Sequence, residues 1–207
     1  ASGADGNYNY QWQSSTDNIS YSSLASSAGS INTGNLTQST YYRVKVSNTL
    51  CGTERISGSS LVTVRDVLDA GTLSVVDDQI CYSSFTTLGA NDVSGADGNY
   101  TYQWQYLDNS VGNWTNTGSS NSPSLSTGIL NNDRSYRVIV NSGCNVTDIS
   151  STAAIDVADE FTIGNIQNSG TDTICYNTKP SILTIAGTGG RAPYSYQWQR
   201  KLSSGTF

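Results

Sequence analysis

Two short acidic runs in this chain have the residue types and spacing to bind a metal. Asp66 and Asp69 form a D-V-x-D series that returns at Asp156 and Asp159, where Glu160 follows directly. Clustered carboxylate oxygens are the hard ligands that Ca²⁺ requires, and an ion held there would stiffen a link between neighbouring domains. The plainer reading is a pair of solubilising aspartates at a strand end. Asp5 and Asp97 recur within GADGNY, where an Asp-Gly hairpin turn accounts for them. The third copy of that segment, GRAPYSY, lacks the Asp and keeps the residues that follow.

Other chemistries find few candidates. The chain contains no His, so Ser-His-Asp and Cys-His arrangements and a histidine general base are absent from the sequence. A glycosidase needs two carboxylates at a set separation, and the remaining acids (Asp77, Asp78 and scattered aspartates) read as turns or solvated edges. With no His and no C-x-x-C pair, a zinc site is not expected either. Trp114 lies outside any repeated motif and has no evident counterpart in the neighbouring repeats. An exposed Trp there would stack on a sugar ring, whereas packing on the inner face of a sheet is the simpler account. The five N-x-S/T sequons, at Asn18, Asn35, Asn99, Asn113 and Asn145, are what chance gives in so Asn/Ser/Thr-rich a chain.

The elements that must position these residues follow from composition and from a repeat. The 207 residues include 13 Tyr and are only 13% charged, with Thr and Val in place of Leu/Glu/Lys runs. Such residues suit pleated, half-buried surfaces better than helices, and an all-β fold is expected. YNYQWQ at 8–13 returns as YTYQWQ at 100–105 and YSYQWQ at 194–199, so that Trp12, Trp104 and Trp198 are spaced by 92 and 94 residues. YYRVKV at 41–46 recurs as SYRVIV at 135–140, and QICYSS at 79–84 as TICYNT at 173–178. A period near 92 is the size of one small β-sandwich. The repeated junctions DVLDAGTL and DVADEFTI divide the chain into 1–67, 68–158 and 159–207. Only the middle segment has the length of a full repeat. The chain starts in mid-repeat without Met, as a window on a longer polypeptide would.

Within the complete repeat, seven strands are predicted at 71–76, 85–90, 99–106, 113–117, 122–127, 135–141 and 151–157. Their spacing predicts tandem immunoglobulin-like or fibronectin-like sandwiches. Period-2 alternation puts Tyr100, Tyr102 and Trp104 on one face, and Tyr136, Val138 and Val140 inward with Arg137 outward. Leu130 and Leu36 each precede a Tyr (Tyr136, Tyr42) by six residues, the spacing of a tyrosine corner. In this frame Trp12, Trp104, Trp198, Tyr42 and Tyr136 are core residues rather than a ligand platform.

The repeat frame also suggests a cysteine pairing. Cys81 opens the complete repeat and Cys144 closes it, with Trp104 between them, so a Cys81–Cys144 bridge is expected. Cys51 and Cys175 would then pair with cysteines outside the chain; a Cys51–Cys81 bridge is the alternative. Structural disulfides imply an oxidising, extracellular compartment.

The combination of GNYTYQWQ, SYRVIVNSGC, a D-V junction and ICY resembles the Ig-like/PKD-like repeats of giant Bacteroidota surface proteins. The resemblance is in particular to gliding-motility adhesins exported by the type IX system, and GTGGRAPYSYQWQ is similar to a signature common in such arrays. It implies a secreted, outer-membrane-associated filament with adhesive or spacer duty and no catalytic residues. Its implied partners are neighbouring repeats, a surface polysaccharide or abiotic surface, and the motility and secretion machinery. It also implies O-glycosylation at D-[S/T]-apolar sites, which DTI at 172–174 matches weakly. The alternative is a carbohydrate-binding module of a secreted hydrolase, with Trp114 as its platform. Nucleic acid is not an expected partner: residues 68–158 hold nine Asp against two Arg, about −7, opposite to the sign a phosphate backbone requires. No apolar run approaches the roughly 18 residues of a membrane span.

Overall fold

The computed structural model describes residues 8–108, 112–118, 121–168 and 173–201. Asp5 and Asp172 lie outside them. The described residues form strands and turns with no helix, so none is long and apolar enough to cross a membrane. Two compact units divide at Val67/Leu68: unit 1 is Ala1–Val67 with Gly95–Asp97, and unit 2 is Leu68–Ser94 with Gly98–Phe207.

In unit 1, β1 (Tyr8–Ser15), β2 (Ser22–Ser23), β3 (Thr40–Asn48), β4 (Thr53–Ile56) and β5 (Ser60–Val62) make one sheet. Its order is β2-β1-β3-β4, with β5 also on β3. The long β1–β3 pair sets Trp12 opposite Val44 and Gln13 opposite Arg43.

Unit 2 contains a complete sandwich. Its strands are β6 (Thr72–Val75), β7 (Gln79–Ile80), β8 (Thr87–Asn91), β9 (Tyr100–Asp108), β10 (Trp114–Asn116), β11 (Ser124–Ser126), β12 (Arg134–Ser142), β13 (Thr147–Ile149) and β14 (Ala153–Val157). One sheet runs β10-β9-β12-β14-β7, with β13 beside β12, and the other runs β11-β8-β6. The leading strand is divided: β6 joins the small sheet, whereas β7 crosses to pair in parallel with β14. This strand order is that of an immunoglobulin-like sandwich.

Alternation fills the space between the sheets. Along β12, Tyr136, Val138 and Val140 are buried and Arg137, Ile139 and Asn141 are less so. They meet Trp104 from β9, Ile155 from β14, and Leu88 and Leu125 from the small sheet. Trp104 is fully buried. Trp and Tyr rings supply much of this core, and truncating such a side chain typically costs about 3–5 kcal/mol. Gly71 sits at φ +67°, where a Cβ would run into the Asn91 carbonyl, so this crossing requires glycine.

All seven predicted strands of the complete repeat are present with shifted ends. Two were missed, β7 and β13. A two-residue strand has no periodicity to read, and the polar composition of NVTDIS conceals the return half of a hairpin.

The expected Cys81–Cys144 bridge is not formed: all four cysteines are free and exposed. The topology explains this. Cys81 directly follows Ile80, which pairs with Val157, and Ser83 N donates to Leu130 O, so Cys81 lies where β12 begins. Cys144 lies in the turn after β12 ends. Nine extended residues put those places about 27 Å apart, and a disulfide needs Cα atoms within about 7 Å.

The third segment, also in unit 2, contributes β15 (Thr162–Ile163), β16 (Gln167–Asn168), β17 (Leu183–Thr184) and β18 (Gly187–Thr188) in two small sheets. Its YSYQWQ is not a strand, and Trp198 is 54% exposed rather than a core residue. Strand identity here depends on a partner: β1 has β3, β9 has β12, and the third copy has no equivalent among the described residues.

Candidate functional site

The residues the repeat holds in place are those of Y-Q-W-Q, and each has a definite task. The first Gln ties the neighbouring strand: Gln11 Nε2 donates to Leu24 O at 2.7 Å, and Gln103 Nε2 to Thr117 O at 3.3 Å. The Trp points inward and uses its one donor, Trp12 Nε1 to Ala28 O and Trp104 Nε1 to Ser122 O, each at 2.9 Å. The second Gln accepts from an arginine across the strand pair, Arg43 Nε to Gln13 Oε1 and Arg137 Nε to Gln105 Oε1, both at 2.8 Å.

Those arginines complete a stack. Arg43 Cζ lies 3.5 Å from the centroid of the Tyr21 ring, and Arg137 Cζ lies 4.2 Å from that of Trp114. Tyr21 thus occupies in unit 1 the place Trp114 takes in unit 2, correcting the expectation that Trp114 has no counterpart. The sequence concealed this because the two aromatics differ in type and stand at different distances from the motif, Tyr21 nine residues after Trp12 and Trp114 ten after Trp104. Trp114 is half-buried, one ring face covered by a guanidinium. On the other face of the same sheet, Arg134 Cζ lies 4.6 Å from the ring centroid of Tyr106, which packs against Tyr136. An amide, a cation and a π face held together can stack on and hydrogen-bond to a hydroxylated or planar surface.

A cleft of about 300 Å³ recurs next to each motif. Tyr42, Leu24 and Thr33 line the first; Tyr136, Thr117 and Thr127 line the second. The tyrosine corner is realised only in burial. Leu130 and Tyr136 are both buried, yet Tyr136 Oη is the one buried side-chain polar atom without a partner among the described residues. Burial pushes the Tyr136 phenol up, and the nearby Arg134 guanidinium opposes that shift.

The acidic candidates are not brought together as a cation site. Asp69 Oδ1 accepts from Gly71 N at 2.8 Å, a local turn. Asp156 is paired with Arg191 at 3.0 Å. Among the described residues, no group of three Asp, Glu, His or Cys side chains is placed to hold a metal.

Fold and site define a tandem immunoglobulin-like β-sandwich protein whose repeated residues hold strands together. The chain belongs to the family described as Domain of unknown function (DUF8696), whose model matches residues 1–66 and 69–159. No curated protein sequence matches it. Among solved structures, the crystal structure of murine CEACAM1b is similar at 13% identity and a TM-score of 0.34, over 72% of this chain and 85% of that one.

Proposed function

We propose that the chain is a non-catalytic repeat segment of a long, secreted cell-surface adhesin, acting as spacer and adhesive array in surface attachment or gliding. One observation carries this reading. What recurs from repeat to repeat is the Gln–Trp–Gln–Arg hydrogen-bond set, a scaffold, whereas the half-buried aromatic partner of the arginine varies from Tyr21 to Trp114. A catalytic domain would be expected to hold one invariant reactive constellation instead. The acidic, Ser/Thr-rich surface and the resemblance to gliding-motility adhesins point the same way.

Small-angle scattering on a polypeptide of several repeats tests the reading. A rod-like profile lengthening with repeat number is expected, and a compact globule would overturn it. A carbohydrate-binding role for the Trp114 face is tested by a glycan array: binding lost on Trp114→Ala would favour it over a pure spacer.

A further inference from the structure

The cleft beside Tyr136 holds a pair of residues that its counterpart in unit 1 does without. Arg134 lies on the same face of β12 as Tyr136 and stacks on Tyr106 from β9, and all three line the cleft. Two residues before Tyr42, Thr40 stands where Arg134 stands before Tyr136. Across the strand pair, Ser14 faces Tyr42 as Tyr106 faces Tyr136. Both members of the cation–ring pair are therefore replaced in unit 1, and the β1–β3 pairing forms without them. Thr40 there closes a local bond to Gln38 O at 3.0 Å.

The pair leaves donors unused. Among the described residues no carboxylate pairs with Arg134, although Asp108 stands opposite it across the strands. The preceding Asp133 is turned to Val157 N, from which its Oδ1 accepts at 2.8 Å. A guanidinium suits a carboxylate, which it holds through two parallel N–H bonds. Tyr136 is 1% exposed, and its hydroxyl has no partner among the described residues, a rare state for a buried polar atom. Arg134 stands near enough to that hydroxyl to oppose its upward shift. A ring face rather than a carboxylate holds the guanidinium, so it can shift to admit one ligand oxygen to both donors.

The rest of the wall selects what carries the carboxylate. The cleft lies between the two sheets, and its volume of about 300 Å³ is at the small end of ligand sites. Among the described residues no acid lines it. Thr117 Oγ1 donates to Trp104 O at 3.2 Å, which commits its proton and leaves its oxygen to accept. Ser126, exposed at the rim, adds a hydroxyl that donates or accepts. Acceptors thus stand beside the two donors. A ligand with hydroxyl protons next to its carboxylate fits both sets, whereas an acidic peptide side chain brings the carboxylate without the hydroxyls.

We propose that this cleft binds a uronic acid residue of an acidic polysaccharide. Its carboxylate sits on Arg134 and the Tyr136 hydroxyl, and its ring hydroxyls on Thr117 and Ser126. The site lies on the opposite face of the β9–β12 pair from Trp114. The proposal deepens the adhesive part of the reading above and rests on that reading for its setting.

The test is a titration of the full chain, isotope-labelled, with sodium glucuronate, followed by amide and arginine Nε–H NMR. Saturable shifts are expected at Arg134, Ser126 and Thr127, and none at Leu24 and Thr33 of the unit 1 cleft. Glucose is expected to give no shift, and sodium acetate and N-acetylaspartate to bind several-fold more weakly. Arg134→Gln is expected to weaken glucuronate binding about tenfold or more, because a charge-assisted bidentate pair is lost. Should that change disturb the fold, Tyr136→Phe keeps the ring and is expected to weaken binding several-fold with the fold intact. No saturable shift, an equal response to glucose, acetate or N-acetylaspartate, or unchanged binding in either folded variant overturns the proposal. Absence of binding would leave the spacer reading and its rod-like scattering standing, whereas a compact profile would sink that reading without touching the cleft.

Discussion

Tyr136 carries its hydroxyl into the core without a partner among the described residues, although its ring is as well buried as Trp104. A buried, unpaired hydroxyl costs roughly 1–3 kcal/mol. Tyr136→Phe is therefore expected to be neutral or stabilising in urea unfolding. A loss above about 1 kcal/mol would restore the tyrosine-corner bond that the geometry lacks. Trp104→Ala, which empties the centre of the same core, is expected to cost about 3–5 kcal/mol. Because burial raises the Tyr136 phenol in the folded state, its contribution holds below the ordinary tyrosine value near 10 and is lost as pH rises beyond it. Asp17 behaves in the opposite sense. It accepts from Ser15 Oγ at 2.7 Å and from Ile19 N and Ser20 N at 2.8 Å, and these bonds hold its carboxyl at about 2 instead of 3.8. They favour the charged form, so their contribution is complete above 3.8 and fades as pH falls through about 2. Carboxyl NMR titration is expected to place the Asp17 midpoint near 2; a midpoint at the ordinary value would remove the turn from the account.

At the scale of the element, the same six-residue motif is a strand twice and an exposed segment once. Backbone amides of Gln103 and Gln105, which face β12, are expected to be strongly protected from hydrogen exchange, and those of Gln197 and Gln199 to exchange quickly in this chain. Equal protection would contradict the unpaired third copy. Period-2 alternation made the strands and their inward faces legible, as at Tyr136, Val138 and Val140. It could not show what the glutamines do, because their partners, Leu24, Arg43, Thr117 and Arg137, come from other strands whose register a single sequence leaves open. The Tyr21–Trp114 equivalence was hidden for the same reason. Arg137→Ala uncovers one face of Trp114 and removes the Gln105 bond. A loss of about 0.5–1 kcal/mol with altered Trp114 fluorescence is expected, and unchanged fluorescence would argue against the stack.

For the whole molecule, the repeat period made the sandwich legible before any strand was placed, but cysteine pairing was not. Order along the chain puts Cys81 and Cys144 at the two limits of one repeat, and only the path of β12 shows that these limits lie at opposite ends. Spacing likewise groups Asp156 with Asp159 and Glu160 but cannot show that Arg191, from a loop over 30 residues later, pairs with Asp156. With Asp156 so paired and Asp69 capping its own turn, EGTA is expected to leave the melting temperature unchanged. A drop on chelation, reversed by added calcium, would reinstate the metal. The divided leading strand has a mechanical consequence. Because β7 runs parallel to β14, the chain enters β7 and leaves β14 at opposite ends of that pair. Tension on the two termini then loads the bonds from Asp156 N to Asp78 O and from Ala158 N to Ile80 O side by side, so that they must break together rather than unzip one at a time.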